Sequence, residues 1–396
     1  MNPSDDARLP SHQDATSGPI TAVARTPSRI AAIDWMRGLV MIVMTLDHAS
    51  HAFNAGRLVT DGSTLYDPAQ PLPSTQFWVR WVTHLCLPMF MFLAGVALAI
   101  STEQRIRRGQ SRSEINRHLL GRGLLLVALD WIWMSWVWSP REGLMLGVLS
   151  AIGLSIVAMA LLRSLRSRWL LTIALVWLLA TEAACGLLFA IEGPISRFAV
   201  GFLFTGRHFH DIHIMITEPF VPWFPLMLLG WVCQREVLSR PQPWRGLLLL
   251  ALVSLAIFVA VRAANGYGNM RLLRVDGSLV QYLHVSKYPA SLSFVTLELG
   301  LGLLLLAALV RIEAGLSQRR LQPPDAMSVL GQTSLFYYLV HVHILQLAAW
   351  ATGLAHVGTL KTTVWATLLA LAGLYPVSLG FRALRRRYPH SWLRHF

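Results

Sequence analysis

The stretch "IDWMRGLVMIVMTLDHASH", residues 33–51, has the length and the apolar content of a helix that enters a membrane. Ionisable residues nevertheless lie near both of its ends: Asp34, Arg37, Asp47, His48 and His51. Such groups are costly at membrane depth, and they are typical of functional sites inside membrane proteins.

The rest of the chain has the same apolar character. Hydrophobic residues make up 54% of the 396 residues and charged residues only 14%, whereas a soluble domain carries about a quarter charged residues. We predict an all-α fold, a polytopic membrane bundle of about ten transmembrane helices with both termini cytoplasmic. The predicted spans are roughly 35–54, 81–101, 118–138, 143–162, 169–191, 219–234, 244–262, 289–310, 327–351 and 359–382.

The formal net charge of +14 is distributed over the short loops between these spans. With the N-terminus inside, the cytoplasmic segments hold 23 Lys and Arg residues and the opposite side holds 10, which is the bias of membrane topology and not of a nucleic-acid-binding face. We divide the chain into a disordered cytoplasmic tail (1–28), a transmembrane domain (29–383) and a basic cytoplasmic tail (384–396).

Arg37 and His48 are eleven residues apart, which places them on nearly one face of a helix and roughly 16 Å apart along its axis. His48 is suited to take and return a proton near neutral pH. Asp47 points about 100° away from it and could act on a substrate or on a neighbouring helix. In the alternative interpretation, Asp34 and Arg37 form an ion pair and His48 only bonds another helix.

Arg-x10-His in a first transmembrane helix resembles the pattern of acyltransferase-3 membrane enzymes. Six blocks, in order, are similar to the DUF1624 family, which contains the catalytic domain of heparan-alpha-glucosaminide N-acetyltransferase. The blocks are "IDWMRGLVMIVMTLDHAS", "FWVRWVTHLCLPMFMFLAGVALAIS", "LGVLSAIGLS", "VPWFPLMLLGW", "SKYPASLSFVTLELG" and "GQTSLFYYLVHVHIL".

The resemblance implies an integral membrane enzyme that takes an acyl group, typically acetyl, from cytoplasmic acyl-CoA. The enzyme passes the group to an acceptor, often a sugar, on the far side of the membrane. In the family the proposed active histidine lies in the loop after the first helix, which leaves His48 and His51 as alternatives for the base. We select His48 as the catalytic residue, with Asp47 beside it, because His48 completes the Arg-x10-His pattern. Direct transfer and a transient acyl-histidine, which would give ping-pong kinetics, both stay open.

Further polar residues are candidates for the two substrate sites. For the acceptor these are His84, Glu218, Lys287, Tyr288 and His341. Each also has a structural interpretation. His84 can form a hydrogen bond at the membrane interface, and Lys287 and Tyr288 can anchor the helix end at that interface, as Lys and Tyr side chains commonly do. For the phosphates of CoA we select Arg37, Arg117 and Arg122. The alternative is that these arginines only contribute to the excess of positive charge on the cytoplasmic side that sets membrane topology. The loop segment "RHFHDIH" (207–213) has the residue types to bind a metal, but such clusters are more often solvated or acceptor-facing, and we predict no metal site.

The predicted function is therefore an acyl-CoA-dependent acyltransferase of the bacterial inner membrane, with an envelope glycan or another small acceptor. We expect contact with membrane lipid, no nucleic-acid partner, and a possible homo-oligomer. The rival class is a proton-coupled transporter of a small polar or acidic solute, since buried His, Asp and Glu suit both functions. A non-catalytic membrane subunit is a third interpretation.

Overall fold

The computed structural model describes residues 30–138, 143–188, 193–319, 325–388 and 391. The predicted N-terminal tail over 1–28 and most of the tail beyond residue 388 lie outside these ranges. The last helix continues to Arg387, past the domain boundary that the sequence predicts at residue 383.

The described chain is mostly helical, as predicted. The helices are α1 (Ala31–Phe53), α2 (Ser74–Thr83), α3 (Cys86–Arg107), α4 (Arg112–Leu129), α5 (Ser135–Trp138), α6 (Val148–Leu162), α7 (Ser167–Leu188), α8 (Pro194–Val200), α9 (Phe220–Cys233), α10 (Pro243–Ala264), α11 (Leu279–Leu283), α12 (Leu292–Gln318), α13 (Asp325–Gln332), α14 (Ser334–Ala351) and α15 (Leu360–Arg387). Short π-helical segments continue three of them, at Asp130–Met134, Gly201–Thr205 and Gln234–Leu238.

A small sheet departs from the all-α prediction. Its strands are β1 (Leu144–Leu146), β2 (Arg207–Phe209) and β3 (Ile214–Ile216), with β3 in the middle, parallel to β1 and antiparallel to β2. The segment "RHFHDIH" therefore forms most of a hairpin instead of an irregular loop.

Seven helices are long and apolar enough to cross a membrane: Ser74–Arg107 (α2 and α3 together), Arg112–Trp138, Ser167–Leu188, Pro243–Ala264, Leu292–Gln318, Ser334–Ala351 and Leu360–Arg387. Helices also exist at the other three predicted spans, but they do not meet these criteria. The ionisable residues of α1 lower its hydropathy, and α6 and α9 have only 15 and 14 residues. The count of ten and the cytoplasmic position of the termini stay predictions.

Helix α1 lies at the centre of the bundle and packs against α3, α12, α13, α14 and α15. Small residues allow some of these helices to touch through their backbones. A Cβ atom at any of six glycines would overlap the backbone of the facing helix, with two such glycines at each of three helix contacts. They are Gly38 and Gly331 between α1 and α13, Gly95 and Gly230 between α3 and α9, and Gly123 and Gly153, which face each other, between α4 and α6. Such contacts fix the distance and the crossing of the paired helices.

The two ends of α1 define two ends of the bundle. At its first turn, the Glu313 carboxylate accepts hydrogen bonds from the backbone N–H groups of Ala31 (2.7 Å) and Ala32 (3.0 Å), which satisfies and neutralises the helix N-terminus. We call this the arginine end. At the other end, Gly358 N–H donates to the Phe53 carbonyl at 2.7 Å. We call this the histidine end, because His48 lies near it.

The break between α2 and α3 places His84 at the histidine end. Pro88, in the first turn of α3, has no N–H to donate to the carbonyl four residues earlier, which belongs to His84. The helix therefore stops at Thr83 and restarts at Cys86.

Candidate active site

Two histidines on neighbouring helices form the centre of the histidine end. Nδ1 of His48 on α1 lies 2.8 Å from Nε2 of His341 on α14. One turn earlier, the hydroxyl groups of Thr45 and Tyr337 are 2.8 Å apart. The contacts repeat at helical spacing on both helices, so one face of α1 lies along α14. His48 therefore pairs with His341.

The hydrogen bonds assign the protons of this pair. Nδ1 of His341 lies 2.8 Å from the backbone carbonyl of Tyr337. A carbonyl only accepts, so Nδ1 of His341 donates, and Nε2 of a neutral His341 is an acceptor. His48 then donates from Nδ1, and its lone pair is on Nε2. That atom has no hydrogen-bond partner among the described residues.

Aromatic rings surround both candidate bases. The His48 ring packs edge-on against Trp138, with the ring centres 5.0 Å apart, and lies 6.1 Å from the ring of Tyr338. The ring of His51 packs against the same tryptophan at 4.8 Å and against His356 at 5.7 Å. In the part of the chain that the structure describes, only His48 of the two has a hydrogen-bonded histidine.

Asp47 is held by three donors. Its Oδ1 atom accepts from Arg57 Nη2 (2.9 Å), Arg80 Nη1 (2.9 Å) and the Thr83 hydroxyl (2.7 Å). Arg57 also donates from Nη1 to the Asp47 carbonyl at 2.9 Å. The carboxylate thus ties α1 to the loop that follows it and to α2. These partners lie on another side of the helix from His48, as the 100° offset between adjacent residues requires.

Arg80 joins Asp47 to a second buried carboxylate. Its Nε atom donates to Asp61 Oδ2 at 2.7 Å, and His84 Nε2 lies 3.2 Å from Asp61 Oδ1. Burial would raise the pKa of Asp61, but the charge of Arg80 and the contact with His84 hold that pKa well below its usual range. Asp61 is therefore ionised, and it forms with Arg80 and Asp47 a buried chain of alternating charge.

Lys287, Tyr288 and Glu218 form the next part of the site. The backbone N–H groups of Lys287 and Tyr288 donate to the Asp61 carbonyl at 2.8 and 2.9 Å. The Tyr288 hydroxyl lies 3.4 Å from Glu218 Oε1, and Lys287 Nζ lies 4.9 Å from the centre of the Tyr288 ring. The pairing of β1 with β3 positions Glu218, which lies two residues after the end of β3 and donates its backbone N–H to the Leu146 carbonyl of β1 at 3.4 Å.

Burial raises the pKa of Glu218 to about 7, although Lys287 and the Tyr288 hydroxyl favour its ionised form. Its second oxygen, Oε2, is buried and has no partner among the described residues. Burial would lower the pKa of Lys287, but Tyr288 and Glu218 raise it above its usual value. The pair is therefore a fixed ammonium group beside a carboxyl group that can exchange a proton near neutral pH.

The structure thus brings together all seven residues that the sequence assigns to catalysis or acceptor binding: His48, Asp47, His84, Glu218, Lys287, Tyr288 and His341. Sequence reasoning missed Arg57, Asp61 and Arg80 in the same cluster. One indication was available, because Arg80 stands three and four residues before Thr83 and His84 and therefore shares their helix face.

At the arginine end, two of the three predicted CoA-binding arginines lie close together. Arg37 Nη1 is 3.8 Å from Asp34 Oδ1, the predicted ion pair, and Arg37 Nη2 lies 3.4 Å from the Leu93 carbonyl. Arg122 lies within electrostatic range of Arg37 and of Arg105, which sequence reasoning did not select. Arg117 is exposed beside Glu114 and does not join them.

A cavity of about 690 Å³ lies beside the polar cluster at the histidine end, within the usual range of ligand sites. Tyr288 lines it and so connects it to Glu218. The other lining residues are Val59, Ser63, Thr64, Leu65, Glu182, Cys185, Gly186, Thr205, Gly206, Met215, Ile216, Thr217, Met270, Arg271 and Pro289.

Among the described residues, no group of three or more His, Cys, Asp or Glu side chains is arranged to hold a metal ion. The buried Asp130 has a structural role. Its Oδ2 atom accepts from the N–H groups of Gly147 (2.7 Å) and Ser150 (2.9 Å) at the start of α6, as a carboxylate at a helix N-terminus does.

The apolar helices and the buried polar cluster define a multi-pass membrane protein with a site at one end of the bundle. Residues 29–259 match the family described as heparan-alpha-glucosaminide N-acetyltransferase, catalytic, and the match covers more than half of the chain. The chain belongs to this family, and it is an enzyme of the acetyltransferase type. No curated protein matches the sequence at a significant level.

The family match includes one half of the histidine pair and not the other. His48, Asp47, His84 and Glu218 lie within residues 29–259, whereas Lys287, Tyr288 and His341 lie beyond them. The structure brings residues from both parts of the chain into the one cluster.

Proposed function

We propose that this protein transfers an acyl group, typically acetyl, from acyl-CoA on the cytoplasmic side to a hydroxyl or amine of an acceptor on the opposite side. His48 is the general base. One observation carries this assignment: His48 donates to His341 from Nδ1, so the lone pair of His48 is on Nε2. None of the described residues forms a hydrogen bond with that Nε2 atom.

In the proposed reaction, Nε2 of His48 takes the proton of the acceptor hydroxyl or amine as its oxygen or nitrogen attacks the thioester carbonyl. The carbon–sulfur bond then breaks, and the CoA thiolate leaves with the proton that His48 returns. His341 fixes the ring and the tautomer of His48 throughout, as a hydrogen-bonded partner does in other general-base sites. The same free nitrogen could hold the acyl group transiently, and kinetics must decide between the two routes.

The arginine end is the proposed donor site. Arg37, Arg105 and Arg122 carry the positive charge that CoA phosphates require, and Arg37 and His48 lie on nearly one face of α1. In this arrangement the phosphates stay at the arginine end while the thioester reaches toward His48 between helices.

The acceptor belongs at the histidine end. Glu218, Lys287, Tyr288 and His84 are placed to bind its polar groups, and Asp47 orients the segments that carry them. An envelope glycan of a bacterial inner membrane is the proposed acceptor class. Membrane lipid surrounds the bundle in this proposal, and self-association is compatible with it.

The test is acyl transfer by the purified full-length protein in detergent. CoA release from labelled acetyl-CoA is followed with and without an envelope-glycan extract, for the wild type, His48→Ala and His51→Ala. We expect His48→Ala to lower release by about 10²-fold or more, the usual contribution of a general base, and His51→Ala to retain most of it. If only His51→Ala abolishes release, His51 is the base.

The rival transporter makes a different prediction in the same preparation. A proton-coupled transporter has no reason to bind CoA, so absence of both CoA binding and CoA release, with and without acceptor extract, would favour it over the transferase.

A further inference from the structure

We propose that the 690 Å³ cavity binds an anionic amphiphile that enters from the membrane, with its charged group on Arg271 and its reactive hydroxyl or amine near Tyr288. The identification of this occupant as the acyl acceptor rests on the proposed function. Its binding does not, and can be measured without any transfer.

Two ionisable side chains line the cavity, Arg271 and Glu182. The Glu182 carboxylate accepts a hydrogen bond from the Gly268 N–H, whereas the Arg271 guanidinium group has no hydrogen-bond or ion-pair partner among the described residues and is available to an anionic group. Met270 and Arg271 both line the cavity, and both adopt positive φ angles, 50° and 60°. Two adjacent non-glycine residues in this region are strained, and such strain is found preferentially at functional sites.

The walls of the cavity include the ends of apolar helical segments that are exposed on the surface of the bundle. Cys185 and Gly186 belong to the last turn of α7, a candidate membrane span, and the adjacent Leu187 is 76% exposed. Thr205 ends the short apolar segment Pro194–Thr205, in which Ile195 is 85% exposed. Exposed apolar side chains at the end of a span contact lipid, so the cavity lies where the bilayer meets its polar boundary.

The lining itself is amphipathic. Met215, Ile216 and Pro289 offer apolar surface, while Ser63, Thr64 and Thr217 offer hydroxyl groups. An occupant with an apolar part, a charged group and hydroxyl groups matches all three features, so within the proposed acceptor class the cavity favours an acceptor that carries a lipid part over a glycan without one.

The cavity is connected to the proposed base by a short series of side chains. Tyr288 bonds Glu218, Glu218 lies within electrostatic range of Tyr338, and the Tyr338 ring lies 6.1 Å from that of His48. An acceptor group that enters beside Tyr288 therefore needs to cross only this polar path.

The experiment measures the thermal midpoint (Tm) of the purified full-length protein in detergent with three probes at equal concentration. Dihexanoyl-phosphatidylglycerol is anionic, amphiphilic and carries free hydroxyl groups. Glycerol 3-phosphate lacks the apolar part, and dihexanoyl-phosphatidylcholine lacks the net charge. We expect only the phosphatidylglycerol to raise the Tm, by about 2 °C or more.

Two variants locate the binding, each with a matched control. Arg271→Gln removes the charge, whereas Arg197→Gln removes an exposed arginine elsewhere. Gly186→Trp places a large side chain in the cavity, and Gly121→Trp adds the same side chain on α4 as its control. A Cβ atom at either glycine meets no atom within 4 Å, so both helices accept a side chain there. We expect Arg271→Gln and Gly186→Trp to abolish the Tm increase and both controls to keep it.

The proposal is overturned if phosphatidylglycerol gives no increase, or if the increase survives both Arg271→Gln and Gly186→Trp. An equal increase with glycerol 3-phosphate would overturn the membrane origin of the ligand. An equal increase with phosphatidylcholine would overturn the role of its charge. Failure of acetyl transfer by a protein that still shows the shift would count against the proposed function alone.

Discussion

His48 and His341 share one hydrogen bond, 2.8 Å from Nδ1 to Nε2, and a second bond from His341 to the Tyr337 carbonyl sets its direction. The two histidines are separated by 293 positions in the sequence, so the pair forms only when distant helices of the bundle pack together. It also turns His341, selected from the sequence as an acceptor ligand, into a positioning residue for the proposed base.

His341→Leu should lower kcat for acetyl transfer by about tenfold or more, with little change in KM for acetyl-CoA. Loss of a buried hydrogen-bond partner costs about 1–3 kcal/mol, and about 1.4 kcal/mol is tenfold in rate. Steady-state kinetics with labelled acetyl-CoA measure both constants.

His343→Leu is the matched control, because His343 lies on α14 with His341 but bonds the Trp133 carbonyl at 3.1 Å and has no hydrogen bond or ring contact with His48. His341→Gln keeps an acceptor atom for His48 and should recover part of the rate. Equal losses of kcat in the His341→Leu and His343→Leu variants would contradict the positioning role.

Arg80→Ala should destabilise the folded protein by about 3–5 kcal/mol, because it leaves two buried carboxylates, Asp47 and Asp61, without their shared cation. Arg382→Ala removes an ion pair with the exposed Asp325 and should cost about 0–1 kcal/mol. Thermal unfolding in detergent compares them, and similar Tm values for the two variants would refute the expected difference.

Glu218 should make stability depend on pH. Its folded-state pKa, about 7, is above its ordinary value of 4.5, so the folded protein binds the proton more tightly. The stabilising contribution is complete below about pH 4.5 and is lost as pH rises through about 7. Glu218→Gln removes this dependence.

The measurement is the Tm of the wild type minus that of Glu218→Gln, between pH 4.5 and 8, and the difference should fall across this range. Glu103→Gln, which changes an exposed carboxylate paired with Arg107, should show no such trend. A difference that is constant with pH would mean that Glu218 titrates as an ordinary carboxylate.

Arg122→Gln should raise KM for acetyl-CoA about tenfold with little change in kcat, since a hydrogen bond to a charged group contributes about 1.5–3 kcal/mol. Arg117→Gln, on the same helix but exposed and beside Glu114, should leave KM near the wild-type value. The same kinetic assay measures both variants. A raised KM for Arg117→Gln with an unchanged KM for Arg122→Gln would mean that the donor phosphates bind on the exposed surface of α4.

The sequence predicts helices at all ten spans and the residue types of the site, because apolar runs and buried charges are local properties. It could not predict the partners. Asp61 is an ordinary loop residue until Arg80 and the backbone of Lys287 reach it, and Arg105 resembles any other positive-inside arginine until Arg37 and Arg122 lie beside it. The small sheet was missed because strands of three residues carry almost no periodic pattern.

Helix α1 is continuous from Ala31 to Phe53, and the close packing of Gly38 on Met327 and of Gly331 on Asp34 holds it against α13. Because Arg37 and His48 both lie on this one helix, their separation of roughly 16 Å is a fixed length of the molecule. If the arginines bind the phosphates of the donor, the flexible part between its phosphates and its thioester must span that length for the acyl group to reach His48. Acyl thioesters with a shorter handle would bind to the arginines without ever reacting.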